Sequence, residues 1–364
     1  MKNIIINIVS GKGGTGKTLL TAVLADMLGS AGKEVLCIDM DIFVRGLTAL
    51  LYFYRQEAST LIEPPQMPTA AFLTRNQGDT LDKLNRLQGR LGICRYRSFN
   101  VLPAVSRIDE NLAHREIIPD TWDEAKSIIQ TIIRKVPDNF QIILLDSRAG
   151  FDELIAATHA VSDITICVEE EDAIAKITTD SVVAQLQKES NTPLFRLVNK
   201  ARGIKTVHDA VRRGVGVSEL GAIPFDIDVM NSFGSPSFWD DIAKSLYKAS
   251  LAKAWNRLST KMQLDCNLTV GRISPIGNER VEERLGLLTW RDRVLFIYGI
   301  LLAITGFGVG LSDYDIIRRL ILNPVQLGAL LAGIIGLTLS LYVITRLGVG
   351  PRRRRPAKED NEVS

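Results

Sequence analysis

Ser10-Gly11-Lys12-Gly13-Gly14-Thr15-Gly16-Lys17-Thr18 decides how the rest of this chain is read. From Gly11 to Thr18 it fits G-x-x-x-x-G-K-T, and its surroundings give the motif its meaning. Residues 4–9 before it are a short apolar run, the pattern of a strand buried on both faces of a parallel sheet. That run is too short for a secretory leader, and a glycine-rich turn follows it instead of a cleavage site. Residues 17–28 after the motif have helical spacing. Gly11, Gly13, Gly14 and Gly16, with Thr15 among them, let the backbone wrap closely around phosphate. The exposed N–H groups and the helix N-terminus favour negative charge there. Lys17 is expected to reach the outer phosphates, and the Thr18 hydroxyl to ligate Mg²⁺. Lys12 is a second cation that the loop itself does not require.

Outward from the loop, strand and helix patterns alternate over about the first 260 residues. Strands are expected at 34–38, 140–145, 163–168, 194–198 and 220–223. Helices are expected at 123–136, 172–186 and, as one long element, 237–258. This alternation implies right-handed βαβ units: an α/β fold with a mainly parallel sheet and helices on both faces. Ligands of such sheets sit beyond the carboxyl ends of the strands, where Asp39, Asp41 and Asp146 fall. Residues 52–100 are less regular, with a loop at 63–68 and a helix pattern near 80–87.

The chain has 364 residues, 46% hydrophobic and 23% charged, enough to bury a sizeable core. A net charge of +3 gives no reason to expect a nucleic-acid partner. The basic clusters at 202–205 and 212–213 read as solvated faces. Cys37, Cys94, Cys167 and Cys266 are far apart and form no CxxC, which argues against zinc and a disulfide framework. His114, His159 and His208 are isolated and read as surface or locally satisfied residues. Mean hydropathy is +0.10, high for this much charge. The excess lies in two uncharged runs, 294–311 and 325–345, each of spanning length. In the second, Gly328, Ala332 and Gly336 repeat at four-residue spacing and offer a close-contact face. The expected organisation is an ATPase-type domain at 1–260, a linker at 261–293, a transmembrane hairpin at 294–345 and a basic tail at 346–364.

The loop from Lys12 to Thr18 resembles the deviant Walker A loop of the MinD/ParA ATPases. Asp39-Met40-Asp41 with Arg45-Gly46-Leu47 resembles that family's second-strand aspartates and first switch. Asn100-Val101-Leu102-Pro103-Ala104 is similar to its "LPA" element. Leu145-Asp146-Ser147-Arg148-Ala149-Gly150 resembles its Walker B strand and second switch. Asn199, and Gly221-Ala222-Ile223-Pro224-Phe225-Asp226, are similar to its adenine-bordering elements. The resemblance covers about residues 1–255. It implies ATP and Mg²⁺ as ligands and slow, dimerisation-dependent hydrolysis. Lys12 would then reach the phosphates of a partner copy's nucleotide, and Asp41 would orient the attacking water and face the metal. Asp146 would hold Mg²⁺ through its water shell. Asn199, Pro224, Phe225 and Asp226 would border adenine. Arg148 stands where the family has proline, and it reads either as a phosphate or partner contact or as a solvent-facing residue.

Three functions fit these features. One is an ATP-dependent homodimeric switch that recruits a protein partner at the membrane. Another is a membrane effector whose hairpins oligomerise under ATPase control, as in a defence system. The third is a phosphotransferase like the bacterial tyrosine kinases, although here the hairpin follows the ATPase and no Tyr occurs after Tyr342. The absence of a suitable cysteine pair disfavours an iron–sulfur reductase. The expected location is a bacterial or archaeal inner membrane, multi-pass, with the ATPase domain and C-terminus cytosolic. Arg291, Arg293, Arg346 and Arg352-Arg353-Arg354-Arg355 flank the spans on the side that positive-inside bias makes cytosolic.

Overall fold

The computed structural model describes residues 3–55, 67–73, 91–107, 119–201 and 217–269. The chain divides into two units at 272/273, and every described residue falls in the first. Among the described residues no helix is long and apolar enough to cross a membrane. The expected hairpin at 294–345 and tail at 346–364 lie outside the described residues, as do the helix pattern at 80–87 and the basic clusters beyond 201.

Strand β1 (Ile4–Ser10) leads through the glycine loop into helix α1 (Lys17–Ser30). Then follow β2 (Val35–Asp39), α2 (Gly46–Arg55), the short α3 (Thr69–Phe72), β3 (Cys94–Tyr96) and β4 (Phe99–Leu102). Next come α4 (Trp122–Lys135), β5 (Ile142–Ala149), α5 (Glu153–Val161), β6 (Ile164–Glu170) and α6 (Ala173–Glu189). The described part closes with β7 (Leu194–Ala201), β8 (Ser218–Pro224), α7 (Ile227–Ser232), α8 (Phe238–Ala243) and α9 (Leu246–Met262). The eight described strands form one sheet in the order β3-β4-β2-β5-β1-β6-β7-β8. Every pairing is parallel except the hairpin between β3 and β4 at one edge. This is the expected α/β architecture.

Alternation along the strands builds two cores. Ile6, Ile8 and Leu144 pack with Leu20 and Leu24 of α1 and with Tyr247, Leu251 and Trp255 of α9. Ile143 and Leu145 point the other way, against Ala125, Ile128, Ile129 and Ile132 of α4. Val9 and Cys167 meet Val182, Val183 and Leu186 of α6 on that second side. Helices therefore cover both faces, which is why apolar residues dominate the central strands on both sides.

Two expectations are corrected. Residues 237–258 are two helices, α8 and α9, separated at Lys244–Ser245. The Ser245 side chain caps α9 by accepting from Tyr247 N at 2.9 Å and donates to Asp226 Oδ2 at 2.8 Å. A tertiary partner thus holds a local alternative to the helix. The expected linker also starts too early, because residues 263–268 fold back along α9. Asn256 exchanges two hydrogen bonds with the Leu268 backbone, and Trp255 Nε1 donates to Cys266 O at 2.6 Å. Cys266 and Leu268 are buried there. Helix α5 was not announced by spacing. Its nine residues are capped by Asp152, which accepts from Ile155 N.

Candidate nucleotide-binding site

The glycine loop links the carboxyl end of β1 to α1, and two of its glycines adopt left-handed backbone. Gly14 has φ +80° and Gly16 has φ +85°. A Cβ on Gly16 would also lie 2.5 Å from Asn199 Nδ2. Only glycine satisfies both demands. Among the described residues nothing lies within 4 Å of a would-be Cβ on Gly13 or Gly14, so the loop is open to them on that side. Thr15 Oγ1 is buried and has no hydrogen-bond partner among the described residues. Open space, a free hydroxyl and an N-terminal helix end together fit an anion.

Register brings the carboxylates to this loop. Asp39 of β2 lies beside Asp146 of β5, and Ile8 of β1 pairs with Asp146 on its other side. Asp146 is fully buried and accepts from Thr18 Oγ1 at 2.8 Å and from Thr21 Oγ1 at 3.2 Å. Asp39 accepts from Thr48 N and Thr48 Oγ1, and from Asp41 N at 3.1 Å. Asp41 in turn accepts from Val44 N at 3.2 Å.

Burial beside one another perturbs Asp39, Asp146 and Lys17. Burial, aided by Asp146, raises Asp39 to about 8. Burial raises Asp146 to about 6 against the pull of Lys17 and of the Thr18 hydroxyl. Burial lowers Lys17, while Asp146 and Asp41 oppose the shift. The site is therefore short of compensating positive charge. Among the described residues no three His, Cys, Asp or Glu side chains are grouped as a metal cage. Mg²⁺ does not need one, since it normally keeps waters and phosphate oxygens beside one or two protein ligands. The Thr18 hydroxyl and the Asp146 carboxylate it touches fit that donor set.

Residues 6–236 match the profile of the CobQ/CobB/MinD/ParA nucleotide binding domain. The chain belongs to this family. A septum site-determining MinD protein from Synechocystis is 27% identical over 200 residues, covering 55% of this chain and 65% of that protein. The chain thus spans slightly under two thirds of that relative's length. The fold is similar to that in the MinC:MinD cell division complex of Aquifex aeolicus, with TM-score 0.51 and 22% identity over 73% of this chain and 98% of that one. It is similar also to MinD complexed with Mg-ADP from Pyrococcus horikoshii, with TM-score 0.52 and 22% identity over 72% of this chain and 98% of that one.

The other expected residues of this nucleotide-binding domain take varied places. Lys12 stands outside the buried cluster, with its side chain 40% exposed, pairing with Asp172 at 3.2 Å and Glu170 at 3.7 Å. Gly11 packs so tightly that a Cβ would lie 2.4 Å from the Thr178–Thr179 backbone of α6. Asn199 is buried beneath the loop and donates to Thr15 O at 2.8 Å. In this state it braces the loop. Pro224 ends β8, and Phe225 N donates to Ala201 O. Asp226 caps α7 and holds Ser245, a structural role. Arg148 is half-buried. It pairs with Asp152 and lies over the Phe43 ring.

Lys200 and Glu170 are functional candidates that sequence reasoning missed. Lys200 has a left-handed backbone, φ +58°, and its ammonium donates to Gly14 O while pairing with Glu170 at 2.7 Å. With Asn199 it holds two successive loop carbonyls, a strained residue bracing a functional turn. The one available sequence signal was its position directly after Asn199. His159, read as surface or locally satisfied, is fully buried, with Nδ1 2.8 Å from Thr165 Oγ1. Burial lowers its pKa.

Proposed function

We propose that this chain is a membrane-anchored ATPase that switches between a monomer and an ATP-bound homodimer and presents the dimer to a protein partner. The observation that carries the reading is the division of labour between two lysines of one loop. Lys17 is buried against Asp146 and Asp41, and Lys12 is held outside by acidic side chains. On this reading the inner lysine serves the chain's own phosphates and the outer one those of a second copy. Charge supplied at the γ-phosphate is what phosphoryl transfer to water most needs.

In this mechanism the loop N–H groups, Lys17 and the Thr18 hydroxyl bind the triphosphate. Thr18 and Asp146 would hold Mg²⁺, which would supply positive charge against the phosphates. Asp41 orients the attacking water. Asn199 and the turn after Pro224 border the base. Release of Lys12 from Glu170 and Asp172 accompanies dimer closure, so hydrolysis depends on the partner copy. The runs at 294–311 and 325–345 anchor the chain with both ends in the cytosol.

The experiment uses the full-length chain in detergent. MgATP turnover should rise with protein concentration, and Lys12→Ala should suppress it without loss of ATP binding. Asp41→Ala should trap dimers with MgATP by light scattering. Persistent monomers at saturating MgATP would remove the switch. Topology is read by single cysteines in a background lacking the four native ones. An impermeant reagent on intact cells should label Asp313→Cys and spare Asp360→Cys.

A further inference from the structure

Arg148 lies two residues beyond Asp146 on the last turn-ward residues of β5. Its Nη1 is 3.1 Å from Asp152 Oδ2, although the two atoms are not aligned for a directed hydrogen bond. Its guanidinium carbon is also 5.4 Å from the centre of the Phe43 ring. Phe43 follows Asp41 by two residues. Asp152 uses its other oxygen to cap α5, accepting from Ile155 N at 2.9 Å. Gly150, between them, donates to Ser10 O at the start of the phosphate loop. One side chain therefore touches both segments that flank the phosphate site, residues 41–45 and 146–152.

Arginine suits this place because a planar guanidinium can face a ring and pair with a carboxylate at once. Lysine could keep the pairing and would lose the planar contact. Proline, the family's residue here, could do neither. A guanidinium free to reach phosphate would not be committed on both sides, and this one is.

We propose that Arg148 is a positioning residue that clasps the two segments together and through Phe43 holds Asp41 in place. The proposal rests on the reading of Asp41 as the residue that orients the attacking water. The backbone of the 41–45 loop already depends on Asp41, since Arg45 N donates to Asp41 O at 2.7 Å and Val44 N to its carboxylate. Loosening Phe43 loosens this turn.

The test uses the full-length chain in detergent with two readouts. In the first, Arg148→Ala lowers kcat about tenfold, equivalent to about 1.4 kcal/mol of barrier, and leaves the ATP Kd within about twofold. Phe43→Leu acts in the same direction, and Arg148→Lys recovers part of the loss through Asp152. Asp152→Asn, which preserves the cap, has a smaller effect than Arg148→Ala. In an Asp41→Ala background Arg148→Ala changes residual turnover no further, because both act through one group. In the second readout, hydrogen exchange without nucleotide, Arg148→Ala speeds the Val44 and Arg45 amides and leaves those of α4 unchanged. A chain that hydrolyses no ATP would sink the proposed function, while the exchange readout would still decide the clasp. Unchanged exchange at Val44 and Arg45 overturns the clasp whatever the turnover. Full additivity with Asp41→Ala overturns it too, since Arg148 would then act on phosphate directly.

Discussion

The two ends of the sheet are built on opposite principles. At the carboxyl end, Lys17, Asp39, Asp41 and Asp146 are buried together, and Thr15 Oγ1 has no hydrogen-bond partner among the described residues. At the amino end, large side chains are buried with their polar tips satisfied. Trp255 Nε1 donates to Cys266 O, and Trp239 Nε1 donates to Tyr96 OH at 3.0 Å. Buried Asp26 is met there by Arg97 and Ser98, and the Arg97 guanidinium lies 4.5 Å from the Trp239 ring centre. An unpartnered buried polar group costs about 1–3 kcal/mol, so the free Thr15 hydroxyl favours a ligand at the first end, whereas Trp239, Trp255 and Asp26 at the second already have their partners. Binding and stability should therefore be separable by position.

The largest expected effects test that separation directly. Trp255→Ala at the amino end should cost about 3–5 kcal/mol of stability and leave MgATP affinity unchanged. Lys17→Ala at the carboxyl end should lower MgATP affinity at least about hundredfold, roughly 2.7 kcal/mol, with little change in the urea midpoint. Loss of nucleotide binding in the folded Trp255→Ala chain would show that the two ends are coupled.

A fragment ending at 260 sharpens the comparison next. It removes the strap at 263–268 that finishes the amino end, with its hydrogen bonds to Trp255, Asn256 and Ser259 and the burial of Cys266 and Leu268. Compared with a fragment ending at 269, it should lose about 2–4 kcal/mol in urea unfolding. Equal stability of the two fragments would mean that the strap is only laid on the surface.

The same contrast explains what could be read from sequence. The loop, β1 and α1 were legible because glycine spacing and apolar periodicity are local. Asp39, Asp41 and Asp146 were legible because strand ends of such sheets face the ligand. The break at Ser245 was not, since Phe238, Ile242 and Leu246 keep helical spacing through it and the decisive partner, Asp226, is 19 residues away. The strap was hidden for a similar reason. Residues 261–268 read as polar and mixed, and it is their hydrogen bonds to Trp255, Asn256 and Ser259 and the burial of Cys266 and Leu268 that make them part of the domain. Lys200 could not be placed on Gly14 from sequence, because 186 residues separate them.

Two glycines give a smaller and matched test. A Cβ on Gly29 of α1 would lie 2.2 Å from Ser98 O at the amino end. Gly29→Ala should therefore destabilise by about 1–3 kcal/mol through overpacking, with ATP affinity intact in the folded chain. Over Gly13 there is open space. Gly13→Ala should keep the urea midpoint and lower ATP affinity about tenfold, roughly 1.4 kcal/mol, because the added methyl occupies room meant for phosphate. Reversed outcomes at the two positions would break the assignment of the ends.

The last test is a pH slope, to which the buried carboxylates of the carboxyl end contribute. Asp146 is raised to about 6 and Asp39 to about 8, in both cases chiefly by burial. A carboxyl raised in the folded state holds its proton more tightly there than in the unfolded chain. Its contribution to stability is fully present below about pH 4, the unfolded value, and is lost as pH rises through the folded value. The unliganded 1–269 fragment should therefore weaken as pH rises from about 4 to about 8, by at most about 1.4 kcal/mol per pH unit for each proton. Asp146→Asn should flatten the slope between about pH 4 and 6, because one of the two protons is gone. It should also lessen the slope above pH 6, because Asp146 is itself a cause of the shift at Asp39. The substitution is tolerable, since the partners of Asp146 in α1 are the Thr18 and Thr21 hydroxyls, which can rotate to donate or accept. Urea unfolding at pH 5, 6, 7 and 8 measures both slopes. Parallel curves for the two proteins would place the titrating groups outside the carboxyl end, and Lys17 would then have to be compensating Asp146 fully.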